Sequence, residues 1–140
     1  MSFSAGRRSI ANLEGVRPEL VDVIKMAYVL TECDFSVVDG VRSLETQKKY
    51  FETGKSQTMK SKHLIQTDGF GWAVDLYPWF NGKTSHNEKH YFQVLAAINK
   101  AAIEFGVNIR YGCFFSSFKE TGNDGVVRYG DRCHIEYARQ

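Results

Sequence analysis

The sequence predicts an α+β fold in which a small antiparallel sheet is flanked by helices. Amphipathic helical patterns and short alternating strand patterns intermix along the chain, with no regular βαβ rhythm and no glycine-rich phosphate loop. The length of 140 residues fits one domain of ordinary size, so we expect a single domain over residues 1–140. A chain of this length can bury a core without disulfide or metal staples, so any bound metal is expected to serve chemistry.

Composition and charge exclude several classes of protein. Hydrophobic residues make up 43% and charged residues 24% of the chain, which is typical of a globular protein and not of a disordered tail. A formal net charge of +2 is too small to indicate nucleic-acid binding. We also expect no membrane insertion and no export by the usual route, because the sequence lacks an 18-residue apolar stretch and its start, MSFSAGRRSI, lacks a signal-peptide core. An odd number of cysteines without a C-x-x-C pair suits synthesis in a reducing compartment: Cys33, Cys113 and Cys133.

The first half of the chain predicts two helices around one strand. Pro18 suits the first position of a helix, and apolar residues then recur at three- and four-residue spacing as far as residue 30. Residues 35–38 read as a short strand, and Ser43 is a predicted cap for a second helix that ends near Phe51. Five lysines between residues 48 and 62 indicate a solvated loop more than a site for an anionic polymer.

The second half predicts three strands and a long helix. Residues 72–77 alternate as a strand does, which places Asp75 on the face opposite Val74. Ser85 and Glu88 form a predicted capping box for a helix that Gly106 ends, and a strand follows over residues 108–112. A last strand over residues 133–137 carries His134 and Glu136 on one face.

The four histidines allow each candidate metal site to be weighed. His86 and His90 have the four-residue spacing of helical zinc ligands, but Asn87 stands where the zincin motif needs a glutamate. We therefore expect both on a helix surface. His63, Asp75 and His134 would supply three zinc ligands and leave a fourth position for water, although a single histidine on a sheet face is more often a hydrogen-bonded structural residue.

Three separated blocks of sequence resemble the signature of the zinc D-Ala-D-Ala carboxypeptidases and L-alanyl-D-glutamate peptidases. They correspond to the S-x-H, G-x-A-x-D and (D/E)-x-x-H motifs of that group, and the opening Met-Ser-Phe, the turn at 38–42 and the stretch at 80–83 resemble its small phage endolysins. The resemblance covers nearly the whole chain and implies the fold shared by Hedgehog signalling domains and DD-peptidases. The residues that carry the three motifs are Ser61, His63, Gly71, Ala73, Asp75, Asp131 and His134.

The chain departs from the family pattern in one place. Eleven residues separate His63 from Asp75, whereas the family normally has six, so we interpret residues 64–70 as holding a five-residue insertion of unknown role. Asp68, inside the insertion, is a rival ligand, but the Ala-x-Asp context favours Asp75.

The resemblance also implies roles for the site residues. One Zn²⁺ per chain would be held by His63, Asp75 and His134, with Asp131 as the general base. Arg42 would stabilise the oxyanion, with a surface ion pair as the alternative. Two further residues would support these groups. Ser61 would bind substrate or cap a turn, and Glu136 would orient a ligand imidazole.

The expected function is hydrolysis of the L-alanyl-D-glutamate bond of peptidoglycan, which causes lysis of the bacterial cell wall. The alternatives are a D-Ala-D-Ala carboxypeptidase with the same zinc site and a non-catalytic zinc or wall-binding module, and the base Asp131 favours an enzyme. Without a signal peptide, we expect synthesis in a host cytoplasm and action on the wall, as a monomer, once the membrane is permeabilised. A regulatory cation at Glu120 and Asp124 is left open.

Overall fold

A computed structural model describes residues 2–56, 58–114, 119–121, 127–129 and 133–139. Four helices lie within these ranges, α1 (Arg7–Asn12), α2 (Pro18–Leu30), α3 (Leu44–Glu52) and α4 (Glu88–Phe105), together with a 3₁₀ turn over Gly112–Phe114. The strands are β1 (Asp34–Asp39), β2 (Ala73–Phe80), β3 (Lys83–Thr84), β4 (Ile109–Tyr111), β5 (Lys119–Thr121), β6 (Val127–Tyr129) and β7 (His134–Tyr137). The predicted α+β class is confirmed.

The main sheet is antiparallel and has the strand order β1-β2-β7-β4, with β3 paired to the far end of β2. Strands β5 and β6 form a separate two-stranded ladder. In the main sheet, Asp75 of β2 pairs with His134 of β7 on one side and with Asp39 of β1 on the other. This register brings three polar residues from three strands to one place on the sheet.

The hydrophobic core lies between one face of the sheet and the two longest helices. Leu20, Ile24 and Tyr28 of α2 and Val94 and Ile98 of α4 are buried there. The sheet contributes the alternate residues of its strands, as the period of two requires. Those residues are Phe35, Val37, Val74, Leu76 and Ile135. Asp75 lies on the opposite face of β2 and does not belong to this core.

The edge of the sheet at β1 is covered by α1. The hydroxyl of Ser9 accepts a hydrogen bond from the backbone N–H of Val37, and the Asn12 amide donates to the carbonyl of the same residue at 2.8 Å. These contacts satisfy backbone groups that an edge strand would otherwise leave open. The approach is so close that a Cβ on Gly40 would collide with the carbonyl oxygen of Asn12, so only glycine fits at that position.

Most predicted helix ends are confirmed, and one is wrong. Pro18 begins α2, Ser43 caps α3 by accepting from the Thr46 N–H, and Gly106 ends α4 in the left-handed conformation at φ 66°. The capping box at Ser85 does not form: α4 begins at Glu88, and Asn87 is its cap. The Ser85 hydroxyl instead contacts the His90 ring nitrogen at 2.6 Å and accepts from the Asn87 N–H.

None of the described helices combines the length and the apolar character that crossing a bilayer requires.

Candidate metal centre

Three of the predicted site residues converge on the open face of the sheet. His63, Asp75 and His134 each offer one ligand atom, and these atoms all lie within 4.8 Å of one another. The Asp75 Oδ1 atom is 3.1 Å from His63 Nε2 and 3.3 Å from His134 Nδ1. The two imidazole rings meet edge to face with their centroids 5.1 Å apart. Their side chains are buried or nearly so, whereas that of Asp75 keeps 18% of its surface exposed.

Two strands and one loop hold the three residues in place. Asp75 and His134 are cross-strand partners on β2 and β7, so the sheet register alone places them together. His63 comes from a turn outside the sheet, which two backbone contacts fix. Its N–H donates to the Ser61 hydroxyl at 3.1 Å, and its carbonyl accepts from the Arg42 N–H at 2.8 Å.

The remaining nitrogen of each imidazole has its own partner. His63 Nδ1 lies 2.8 Å from the carbonyl oxygen of Gly40, which can only accept, so that nitrogen carries the proton. His134 Nε2 lies 2.9 Å from Oε1 of the buried Glu136. Both rings thus turn their second nitrogen toward Asp75. A pair of imidazoles oriented by outer hydrogen bonds, with one carboxylate, is a donor set that fits zinc and leaves a position open.

The electrostatics of Asp75 favour its ionised form. Burial by itself would raise the pKa of this carboxyl, but hydrogen bonds from His134 and His63 and their positive charge lower the pKa well below its usual range. Asp75 is therefore a carboxylate at neutral pH, which is the form that ligates a metal.

Arg42 lies beside this carboxylate and forms ion pairs with Asp39 and Asp75. Its guanidinium side chain is only 9% exposed and lies 3.6 Å from Asp75 Oδ2. It donates from Nε and Nη2 to Asp39 Oδ2, and from Nη1 to the side-chain oxygen of Gln47 at 2.7 Å. The ring of Tyr50 lies 4.8 Å from the guanidinium carbon. Arg42 is thus a fixed cation at the edge of the candidate centre.

Sequence reasoning missed Gln47, which is fully buried in α3. While its oxygen accepts from Arg42, its amide nitrogen donates to the Ser56 hydroxyl at 2.8 Å and to the Thr58 carbonyl at 2.6 Å. Gln47 therefore connects the loop after α3 to the Arg42 guanidinium beside Asp75. The signal that could have found it is weak, since a glutamine on the inner side of an amphipathic helix has no motif of its own.

The rival ligand Asp68 lies elsewhere. Its carboxylate accepts from the Trp72 indole at 2.7 Å and from Arg17 at 2.6 Å. Residues 64–70 close on themselves, because the Gln66 N–H donates to the Phe70 carbonyl and the Gly69 N–H to the Gln66 carbonyl. The long spacing before β2 is therefore taken up in a local turn, and His63 lies beside Asp75.

Other predicted site residues have different surroundings. Ser61 is buried and caps the turn at His63. His86 precedes α4 and does not lie on it. Neither His86 nor His90 belongs to the three-residue cluster found among the described residues. The predicted base Asp131 lies outside the described residues, and so does Asp124. Of Glu120 only the backbone, in β5, is described.

Comparison with known proteins gives a consistent result. A family model described as phage L-alanyl-D-glutamate peptidase matches residues 1–138. The chain is 34% identical over 140 residues to the L-alanyl-D-glutamate peptidase of Escherichia phage T5, covering 97% of this chain and 98% of the relative. Its fold is similar to the crystal structure of the Serratia marcescens L-Ala D-Glu endopeptidase ChiX, with a TM-score of 0.80, 30% identity, and coverage of 98% of this chain and 91% of the other.

Proposed function

This chain belongs to the family of phage L-alanyl-D-glutamate peptidases, and from that premise we propose that it works as a zinc enzyme whose ligands are His63, Asp75 and His134. It is a peptidase of peptidoglycan, and the bond it hydrolyses joins L-alanine to D-glutamate in the stem peptide. The zinc ion and the individual residue roles are the parts that we propose.

One observation carries the zinc proposal. Two imidazole nitrogens converge on Asp75, while the second nitrogen of each ring is already bonded, to Gly40 in one case and to Glu136 in the other. Purely structural histidines do not need this double arrangement, whereas metal ligands almost always have it. A bound zinc ion supplies Lewis acidity, which polarises a carbonyl group and acidifies water.

The chain's own residues supply the other parts of the reaction. We propose that Asp131 is the general base, which takes the proton of the attacking water and returns it to the leaving amine. Arg42, held by Asp39 and Gln47, would present a fixed positive charge to the oxyanion, and its pre-organised position lowers the cost of reorientation during the reaction.

Ser61 and Glu136 support these groups. Glu136 would keep the proton of His134 on Nε2 and so leave Nδ1 available to the metal. The Ser61 oxygen accepts from the His63 backbone, and its hydroxyl hydrogen would be the group donated to a substrate carbonyl.

The cellular setting is also a proposal. A phage enzyme with peptidoglycan as its substrate would be made in the host cytoplasm and would reach the wall after the membrane is permeabilised. We propose that it then acts as a monomer, as one catalytic domain over residues 1–140, without inserting into the membrane and without binding nucleic acid.

Mass spectrometry of the products from purified peptidoglycan tests the function. The expected result is a new D-glutamate amino terminus, which disappears after chelation and returns when zinc is added. Release of terminal D-alanine without that new amine would establish the carboxypeptidase alternative. No cleavage by the zinc-loaded protein would favour a non-catalytic binding module.

A further inference from the structure

The open face of the sheet continues beyond the candidate metal centre as a row of aromatic side chains. Tyr77 and Trp79 follow Asp75 on the same face of β2, since residues two apart share a face. At about 3.3 Å per residue, Tyr77 lies about 7 Å and Trp79 about 13 Å from Asp75 along the strand. Trp79 is 41% exposed, and the ring of Tyr77 meets that of His86 with centroids 6.0 Å apart.

Polar residues of β1 lie beside these two aromatic residues in the sheet. Ser36 is the cross-strand partner of Tyr77, and Asp34 is the partner of Trp79. Beyond them the surface sinks into a cavity of about 270 Å³. Its lining combines an indole with hydroxyl, carboxylate and guanidinium groups, from Trp79, Ser36, Asp34, Ser4, Arg7 and Arg8.

This combination suits a sugar ring. A pyranose has an apolar face of C–H groups, which packs on an aromatic ring, and a rim of hydroxyl and amide groups, which needs both donors and acceptors. The Asp34 carboxylate and the Arg7 and Arg8 guanidinium groups give the lining charges of both signs, so the cavity offers hydrogen-bond acceptors as well as donors to such a rim. The same carboxylate can accept hydrogen bonds from sugar hydroxyls.

The substrate has a sugar at a matching distance. In peptidoglycan, L-alanine is joined through a lactyl group to N-acetylmuramic acid, so the sugar ring begins about two residue lengths, or about 7 Å, from the scissile carbonyl. A substrate lying along β2 with its carbonyl at the metal centre would therefore carry its muramic acid over Tyr77 and toward Trp79.

We propose that Tyr77, Trp79 and the adjoining cavity form a saccharide site, which binds the N-acetylmuramic acid attached to the scissile L-alanine. The proposal rests on the proposed function and adds the orientation in which the substrate lies along β2. The glycan lies toward Trp79, and the D-glutamate side of the stem peptide leaves past the metal centre in the other direction.

The test compares two substrates that differ only in the sugar. One is a disaccharide tetrapeptide, and the other is the same tetrapeptide with its L-alanine N-acetylated. The measured quantity is the ratio of kcat/KM for the first substrate to that for the second. We expect a ratio well above one for the zinc-loaded wild type, and a fall of about tenfold for Trp79→Ala, a loss typical of truncating a tryptophan at a binding hot spot.

Phe80→Ala is the matched control, because Phe80 is the next residue on β2, is 49% exposed, and belongs to the other side of the strand. It should keep the wild-type ratio. A ratio near one for the wild type, or an unchanged ratio for Trp79→Ala, would overturn the saccharide site and leave the proposed function standing. Failure of the wild type to cleave either substrate would instead contradict the proposed function.

Discussion

Glu136 lies two residues after His134 on β7, and its Oε1 atom is 2.9 Å from His134 Nε2. The other carboxylate oxygen of Glu136 lies 3.2 Å from Arg110 Nη1, so the carboxylate bridges the imidazole and a cation. Because Glu136 holds the proton on Nε2, the nitrogen that faces Asp75 is the one that would give up its proton to a metal ion. This arrangement would orient His134 for the metal ion that we propose.

Replacement of Glu136 by Gln should weaken the metal centre. The amide keeps the size of the side chain but removes the charge that holds the His134 proton, and loss of such an outer partner typically costs about 10- to 100-fold in metal affinity or activity. Competition with a chelator measures the zinc dissociation constant. Glu104→Gln, at an exposed position of α4, should leave that constant unchanged. Equal zinc dissociation constants for the two variants would show that Glu136 does not support metal binding.

Gln47→Ala should lower both stability and turnover. It removes the acceptor of an Arg42 N–H and one of the two hydrogen bonds to the Thr58 carbonyl, and an unsatisfied buried polar group costs about 1–3 kcal/mol. Urea denaturation measures the free energy of unfolding. Gln47→Glu still accepts from Arg42 but cannot donate to the loop. Compared with Gln47→Ala, it should therefore regain more of the wild-type kcat than of the wild-type free energy of unfolding. Equal recovery of kcat and stability would contradict a specific link between Gln47 and Arg42.

The proposed metal centre predicts different effects for two pairs of histidines. His63→Ala should abolish hydrolysis, since it removes a proposed ligand, whereas the double variant His86→Ala, His90→Ala should keep most of the activity. Initial rates on purified peptidoglycan with zinc in excess check this expectation. The reverse pattern would show that the metal centre has been assigned to the wrong histidines.

The fold was predictable from local patterns, and so was part of the site. Strand alternation placed Asp75 and His134 each on one face of its strand, and pairing of β2 with β7 then made them neighbours. The start of α4 was predicted wrongly, because the Ser85 hydroxyl is engaged by His90, a contact between side chains that no capping pattern encodes. The contacts of Gln47 and Asp39 were not predicted for a related reason. Both residues bind the Arg42 guanidinium, and only the folded chain brings the three together.

Asp131→Asn should separate catalysis from metal binding, because we propose Asp131 as the general base. The amide keeps the shape of the side chain but cannot accept the water proton, and loss of a general base typically costs about 10² to 10⁴ in rate. We expect a folded, zinc-loaded and nearly inactive protein by circular dichroism, metal analysis and kinetic assay. Loss of zinc would make Asp131 a ligand, and near-normal turnover would assign the base to another group.

Tyr28 should make stability fall at high pH. Burial raises the pKa of this phenol to about 12, against about 10 in an unfolded chain, and the hydroxyl donates to the Phe35 carbonyl at 2.7 Å. A raised pKa means that its stabilising effect is complete below about pH 10 and is lost as the pH rises toward 12. Tyr28→Phe should cost about 1 kcal/mol at neutral pH and show a shallower decline above pH 10. Parallel pH profiles would contradict this assignment.

The content of zinc per chain is the most direct test of the central claim, that His63, Asp75 and His134 hold one catalytic zinc ion. Elemental analysis of the purified wild type should find one zinc per chain, and Asp75→Ala and His134→Ala should each lose most of it while remaining folded by circular dichroism. Full zinc occupancy in both variants, or a wild type that cleaves peptidoglycan without any metal, would contradict the account.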